Sequence, residues 1–160
     1  VADSEGRSVK PISEEIKQSH FESDHQRAVL NLLFTYGWLK EQLALWLKPY
    51  GLTAQQFNVL RILRGQHPEA VTTWEIRDRM LDKMSDTSRL VDRLAKMQVV
   101  DKCTNSGDRR LVDVRINDRG LELLARIDVD HNAPFDRMKG AITDEQAQVL
   151  SDLLDRLRAC

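Results

Sequence analysis

With 160 residues, of which 41% are hydrophobic and 31% charged, the chain can form one ordinary folding unit with a sizeable core; its formal net charge of -1 provides no global attraction to nucleic acid or an acidic membrane. There is no uninterrupted apolar run of the roughly 18 to 20 residues a membrane span needs, and no charged-then-apolar secretory signal. Two cysteines, Cys103 and Cys160, are too few for a disulfide framework, so a cytoplasmic protein with reduced thiols and no membrane partner is expected, and any affinity for a polyanion must be local.

Residues 1–20 are mostly polar and broken by Gly6 and Pro11, which predicts a flexible N-terminal arm. From Phe21 to Lys48, Leu32, Tyr36, Leu39, Leu43 and Trp46 recur at helical spacing beside a second stripe of Leu30, Phe34, Trp38 and Leu45. This pattern predicts a long helix buried on more than one side and ended by Pro49 and Gly51. A lone domain seldom covers two faces of so long a helix, so 21–50 reads as a dimerisation helix.

Thr53 with Gln56 forms the capping-box pattern that opens a helix of about three turns, with Phe57, Leu60 and Leu63 toward a core and Gly65 at its end. After a turn at QHPEA, Thr72 with Glu75 opens a shorter helix carrying Ile76 and Met80. The next segment, DKMSDTSRLVDRLAKMQVV, divides into a core face of Thr87, Val91 and Leu94 and a polar, basic face of Ser85, Arg89, Arg93 and Lys96. VVDKCT and LVDVRI are strand-forming, with Val112, Val114 and Ile116 alternating, and NSGDRR joins them into a hairpin whose loop lies near Asn105 to Arg109. Cys103 in the first strand reads as a small buried or half-buried residue rather than a redox sensor, and Cys160 as inert tail. Asn117 or Asp118 caps a further helix with Leu121, Leu124 and Ile127, running toward His131 or, past Pro134, toward Met138. Thr143 with Gln146 opens the last one, striped by Val149 or Leu150, Leu153 and Leu157.

Two short helices, a helix with a basic face and a two-stranded hairpin follow the order of a winged helix-turn-helix, which sets one helix into a major groove. The expected fold is mainly α with a small β-hairpin wing. A DNA-binding domain spans 51–116, and C-terminal dimerisation helices span 117–160. Between Lys83 and Arg110 seven basic residues face four acidic ones, a local excess of three positive charges on a chain of net charge -1. Such a patch orients a protein on a phosphate backbone and disfavours other poses. Ser85, Thr87 and Ser88 fall in the first turn of the basic helix, where hydroxyls and free N–H groups meet phosphates or base edges; Thr87 reads equally as a core-facing cap. Arg89 is the candidate for direct base reading, Lys83 joins through the patch it opens, and Arg93 is left out as a partner for an acid on the domain's own surface. At the wing tip Arg109 or Arg110 suits the narrow, negative minor groove.

The runs LTAQQFNVLRIL and TSRLVDRLAKMQVVDK, and DRR followed by a strand and INDRG, resemble the MarR family of transcriptional regulators over roughly Leu30 to Leu124. In that family's pattern Asp108 pairs with Arg110 and shapes the wing tip, and a glycine stands where this chain has Gln98, so the helix end is expected to differ here. The resemblance implies small, often aromatic effectors between dimer helices and DNA-binding lobe, where Tyr36, Trp38, Trp46 and Phe57 fall, although aromatic residues at helical spacing are commonly plain core. Cysteine-based peroxide sensing near the start of the first long helix is not expected, because that region reads HFESDHQ.

One helix and wing cover too few base pairs for useful specificity, so a homodimer on a palindromic double-stranded operator is expected. Ile12, Ile16, Phe21 and Leu30 at one end, with Val149, Leu153, Leu154 and Leu157 at the other, are expected to pack across the two-fold. His20, Glu22, Asp24 and His25, with His131, lack helical ligand spacing and read as a solvated acidic segment, not a zinc site. No Gly-rich phosphate loop, GxSxG or HExxH occurs, so neither an enzyme nor a cofactor is expected. The rival is a winged-helix protein-interaction module without ligand control, which predicts no basic bias on the exposed face.

Overall fold

A computed structural model describes residues 10–130 and 134–159, and the chain divides into two units, Leu43–His131 and the remainder. His131, Cys160 and the first nine residues of the expected arm lie outside the described residues.

The Leu43–His131 unit begins with the last turn of α2 (Asp24–Leu47), which runs into a 3-10 turn, Lys48–Tyr50. Gly51 ends it at φ +69, a left-handed conformation that a side chain would strain. Next come α3 (Ala54–Arg64), β1 (Val71–Thr72), α4 (Thr73–Arg79), α5 (Thr87–Lys96), β2 (Val100–Thr104), β3 (Val112–Ile116) and α6 (Asp118–Asp128). Both expected capping boxes form: the Thr53 hydroxyl accepts from the Gln56 N–H at 3.2 Å while Gln56 Oε1 accepts from the Thr53 N–H, and Thr72 and Glu75 repeat the exchange. In the second box the Thr72 hydroxyl and N–H hold the Glu75 carboxyl below its usual range. Asn117 caps α6, accepting from the Gly120 N–H at 3.1 Å.

These helices surround one core. Ile76 of α4, Met80 just past its end, and Val91 and Leu94 of α5 are buried as their spacing implied, but α3 buries Gln56, Val59, Leu60 and Leu63, which leaves Phe57 at the margin. The sheet has three antiparallel strands in the order β1-β3-β2, not the two of a bare hairpin. The two residues of β1, with Val71 opposite Val114, are too short for alternation to reveal. α6 presents Gly120, Leu123, Leu124 and Ile127 to the core, so it belongs to this unit, which extends beyond the 51–116 span on both sides.

In the other unit Ile12–Glu15 of the expected arm forms a short helix, α1, and α2 starts at Asp24, three residues later than Phe21, where the Ser23 hydroxyl accepts from the Gln26 N–H. α7 (Pro134–Ala141) and α8 (Asp144–Arg158) complete it, α8 opening with the Thr143 and Gln146 capping box. Large apolar side chains of α2 and α8 are exposed: Leu33, Phe34, Tyr36 and Trp38 on α2, and Val149, Leu150, Leu153 and Leu157 on α8. The two-sided burial expected of α2 is absent within one chain, where Leu47 is its single buried residue. Among the described residues no helix is long and apolar enough to cross a membrane.

Candidate nucleic-acid interface

α5 starts at Thr87 because Asp86 caps it, the carboxylate accepting from the Arg89 N–H at 3.2 Å. Ser85 therefore lies just outside the helix, while Thr87 and Ser88 form its first two positions. Thr87 faces inward, 5% exposed, and neither its hydroxyl oxygen nor that of Ser85 has a hydrogen-bond partner among the described residues. Arg89 projects outward, its side chain 80% exposed, with Nε 3.1 Å from the Asp86 carboxylate. An ion pair this exposed is worth little, so the guanidinium can leave it for a base edge at small cost. Ahead of the helix, Lys83 is exposed and its Nζ donates to the Asp78 carbonyl.

The wing is closed by two short polar side chains. Asn105 Oδ1 accepts from the N–H groups of Gly107 at 2.8 Å and Asp108 at 2.9 Å, and its Nδ2 donates to Asp113 at 2.8 Å. Asp108 then takes a forked contact from Arg110, with Nε to Oδ1 and Nη2 to Oδ2 each at 3.0 Å, and the Arg110 N–H adds a third bond at 3.0 Å. This arrangement holds the Asp108 carboxyl below its ordinary range and raises Arg110. Arg109 is exposed and forms no ion pair among the described residues. The strands end at Thr104 and Val112, about 13 Å along the ladder from the buried Val100 and Ile116 at the base, and the tip lies beyond them.

The wing and α5 are joined by Lys102, which pairs with Asp92 and lowers its pKa. Arg93, expected to pair with an acid, forms no ion pair among the described residues; its helix neighbour Asp92 projects in another direction and pairs with Lys102. Within the basic patch the acids Asp86, Asp92 and Asp108 thus engage Arg89, Lys102 and Arg110, with Lys96 also acting on Asp92 through space, while Lys83, Arg93 and Arg109 form no ion pair among the described residues. The helix end that Gln98 was expected to alter is kept: Gln98 adopts φ +59, while its Oε1 accepts from Arg119 and its carbonyl accepts from Asn117 at 3.3 Å. Contacts from α6 thereby hold a backbone conformation that glycine would adopt without strain.

The four aromatics divide between the units. Tyr36 and Trp38 are exposed on α2, whereas Trp46 and Phe57 meet edge to face with ring centroids 5.4 Å apart. Trp46 Nε1 and the Tyr50 hydroxyl both donate to Asp130 Oδ2 at 3.0 Å, and burial together with that bond raises the Tyr50 pKa. Cys103, expected to be buried or half-buried, is exposed, because β2 buries only Val100 where it joins the core. No group of three or more His, Cys, Asp and Glu placed to hold a metal occurs among the described residues. Asn105 went unnoticed in the sequence, where NSGD was a turn signal and nothing more; Trp74 and Arg77 of α4, which share a cleft with Ser85–Ser88, carried no signal at all.

The sequence profile of the MarR family matches residues 50–111. The HTH-type transcriptional regulator MhqR of Bacillus subtilis (strain 168) is 27% identical over 110 residues, covering 68% of this chain and 73% of that protein. A MarR transcription factor from Planctomyces limnophilus, of known crystal structure, is 31% identical, with 88% of this chain and 100% of that one covered at a TM-score of 0.62. NadR, solved in complex with 4-hydroxyphenylacetate, shares the fold at 21% identity, 86% and 96% coverage and a TM-score of 0.63.

Proposed function

Because the chain belongs to the MarR family of transcriptional regulators, we propose that it is a homodimeric, sequence-specific DNA-binding repressor. It acts in the cytoplasm on a palindromic operator and is released by a small aromatic effector. The observation that carries this reading is the division of labour at the wing tip: Asp108 fixes Arg110, and the adjacent Arg109 is left exposed and without an ion-pair partner among the described residues. A guanidinium presented on a braced turn suits a narrow minor groove. In the adjoining major groove Arg89 reads a base edge, and Ser85, Thr87, Ser88 and Lys83 address the phosphates alongside.

The exposed apolar side chains of α2 and α8 support a second copy of the chain as the partner that buries them. Symmetry then sets two recognition helices about one helical turn of DNA apart. The bound 4-hydroxyphenylacetate of NadR supports an aromatic effector, with Tyr36, Trp38, Trp46 and Phe57 as the residues to vary first.

Selection from random duplexes, followed by equilibrium binding, tests the assignment. Arg89→Ala should relax preference at one position per half-site, with a loss of about 1 to 3 kcal/mol of discrimination. Arg109→Ala should weaken binding to every duplex and reduce the salt slope by about one. Unchanged affinity and preference in both variants would overturn the reading, and a protein-interaction module would give no steep salt dependence at all.

A further inference from the structure

We propose that the cleft between α4 and α5 seats one backbone phosphate of the bound duplex, with Trp74 packed against the adjoining sugar. This deepens, and rests on, the DNA-binding reading above. The cleft encloses about 420 Å³ and is lined by Thr73, Trp74 and Arg77 of α4, and by Ser85, Asp86, Thr87 and Ser88 at the start of α5.

Two independent features point to an anionic occupant. The first is a pair of hydroxyls with no acceptor or donor. Thr87 is 5% exposed, and both its oxygen and that of Ser85 are shut off from water without a partner, which costs stability in the unbound protein. A phosphate that enters and displaces the side chains over them supplies the acceptor they lack. The second is the rim. Arg77 is exposed and forms no ion pair among the described residues, while Trp74 is 66% exposed in the first turn of α4, a large apolar surface left in water. Hydroxyl donors, a guanidinium and an indole face together match a phosphodiester with its sugar, and they match poorly a neutral apolar molecule. The acid in the cleft, Asp86, stays engaged as the cap of α5 through the Arg89 N–H when the Arg89 guanidinium leaves it for a base edge. A phosphate seated here carries no base information. It sets the angle at which α5 enters the groove, a positioning role.

The test uses the full chain and the duplex recovered by selection. Trp74→Ala and Arg77→Gln change exposed side chains, and each should weaken binding about tenfold, equally for matched and mismatched duplexes, with Arg77→Gln lowering the salt slope by about one. Thr87→Val, which keeps shape and removes the orphan hydroxyl, should raise Tm and yet weaken binding, opposite signs that a purely structural Thr87 does not produce. Among the phosphates at which a single methylphosphonate weakens wild-type binding, one per half-site should lose its effect in Arg77→Gln while the others keep theirs. Wild-type binding by Trp74→Ala, Arg77→Gln and Thr87→Val, while Arg89→Ala and Arg109→Ala keep their effects, would overturn the cleft and leave the regulator reading intact. Failure of the unaltered protein to bind any duplex would overturn the regulator reading itself. If inorganic phosphate protects the cleft but the variants leave duplex binding untouched, the site is one for a free anion and the proposal fails.

Discussion

Two adjacent arginines at the wing tip have the same charge and the same sequence context, yet they have different environments. Arg110 is folded back on Asp108 through three bonds, and Arg109 is not. The pattern DRR made the tip conspicuous without separating the two, because the separation depends on which side chain the turn at Asn105 points back toward the carboxylate. The pairing has a pH signature. Asp108 titrates below its ordinary value of 3.8 in the folded chain, so the stability it contributes is complete above that value and is lost as pH falls through the lower folded one. Carboxyl-carbon NMR should place its midpoint below 3.8, and Arg110→Ala should return the midpoint toward that value. An identical midpoint in the two proteins would mean that the pair does not form in solution.

At the scale of elements, boundaries were legible wherever a local hydrogen bond sets them. Thr53, Thr72, Thr143 and Asn117 each sit three residues before the backbone N–H they accept, a spacing readable from sequence. β1 was not legible, since its two residues owe their strand conformation to β3, more than 40 residues later. The start of α6 also depends on a distant segment. A Cβ at Gly120 would lie 2.2 Å from the Val99 carbonyl oxygen and 2.6 Å from Ile116 Cγ1, so the helix can pass this close to β2 and β3 only with glycine there. Gly120→Ala is expected to destabilise the chain by about 2 kcal/mol or more in urea unfolding, since backbone and a packed isoleucine must both move. A change of a few tenths would show that α6 shifts freely on the sheet.

At the scale of the molecule, a folded unit with a buried core contrasts with helices that leave large apolar side chains exposed. If a second copy covers them, sedimentation should report twice the chain mass. Leu33→Lys combined with Leu153→Lys should give a monomer with sharply reduced operator affinity, since each leucine forgoes about 1.5 to 3 kcal/mol of burial and each half-site then binds alone. A double variant that remains dimeric would place the interface elsewhere. The sequence alone determined the winged-helix architecture, the capped starts of α3, α4, α6 and α8, and the clustering of cations between Lys83 and Arg110. Those features follow from periodicity, from contacts three or four residues apart and from composition. Tertiary structure alone decided that Asp92 engages Lys102, that Gln98 keeps a left-handed turn, that Cys103 faces outward, and that Thr87 and Ser85 carry unanswered hydroxyls beside Trp74. Each of these depends on which distant segments meet, and no local spacing encodes that meeting.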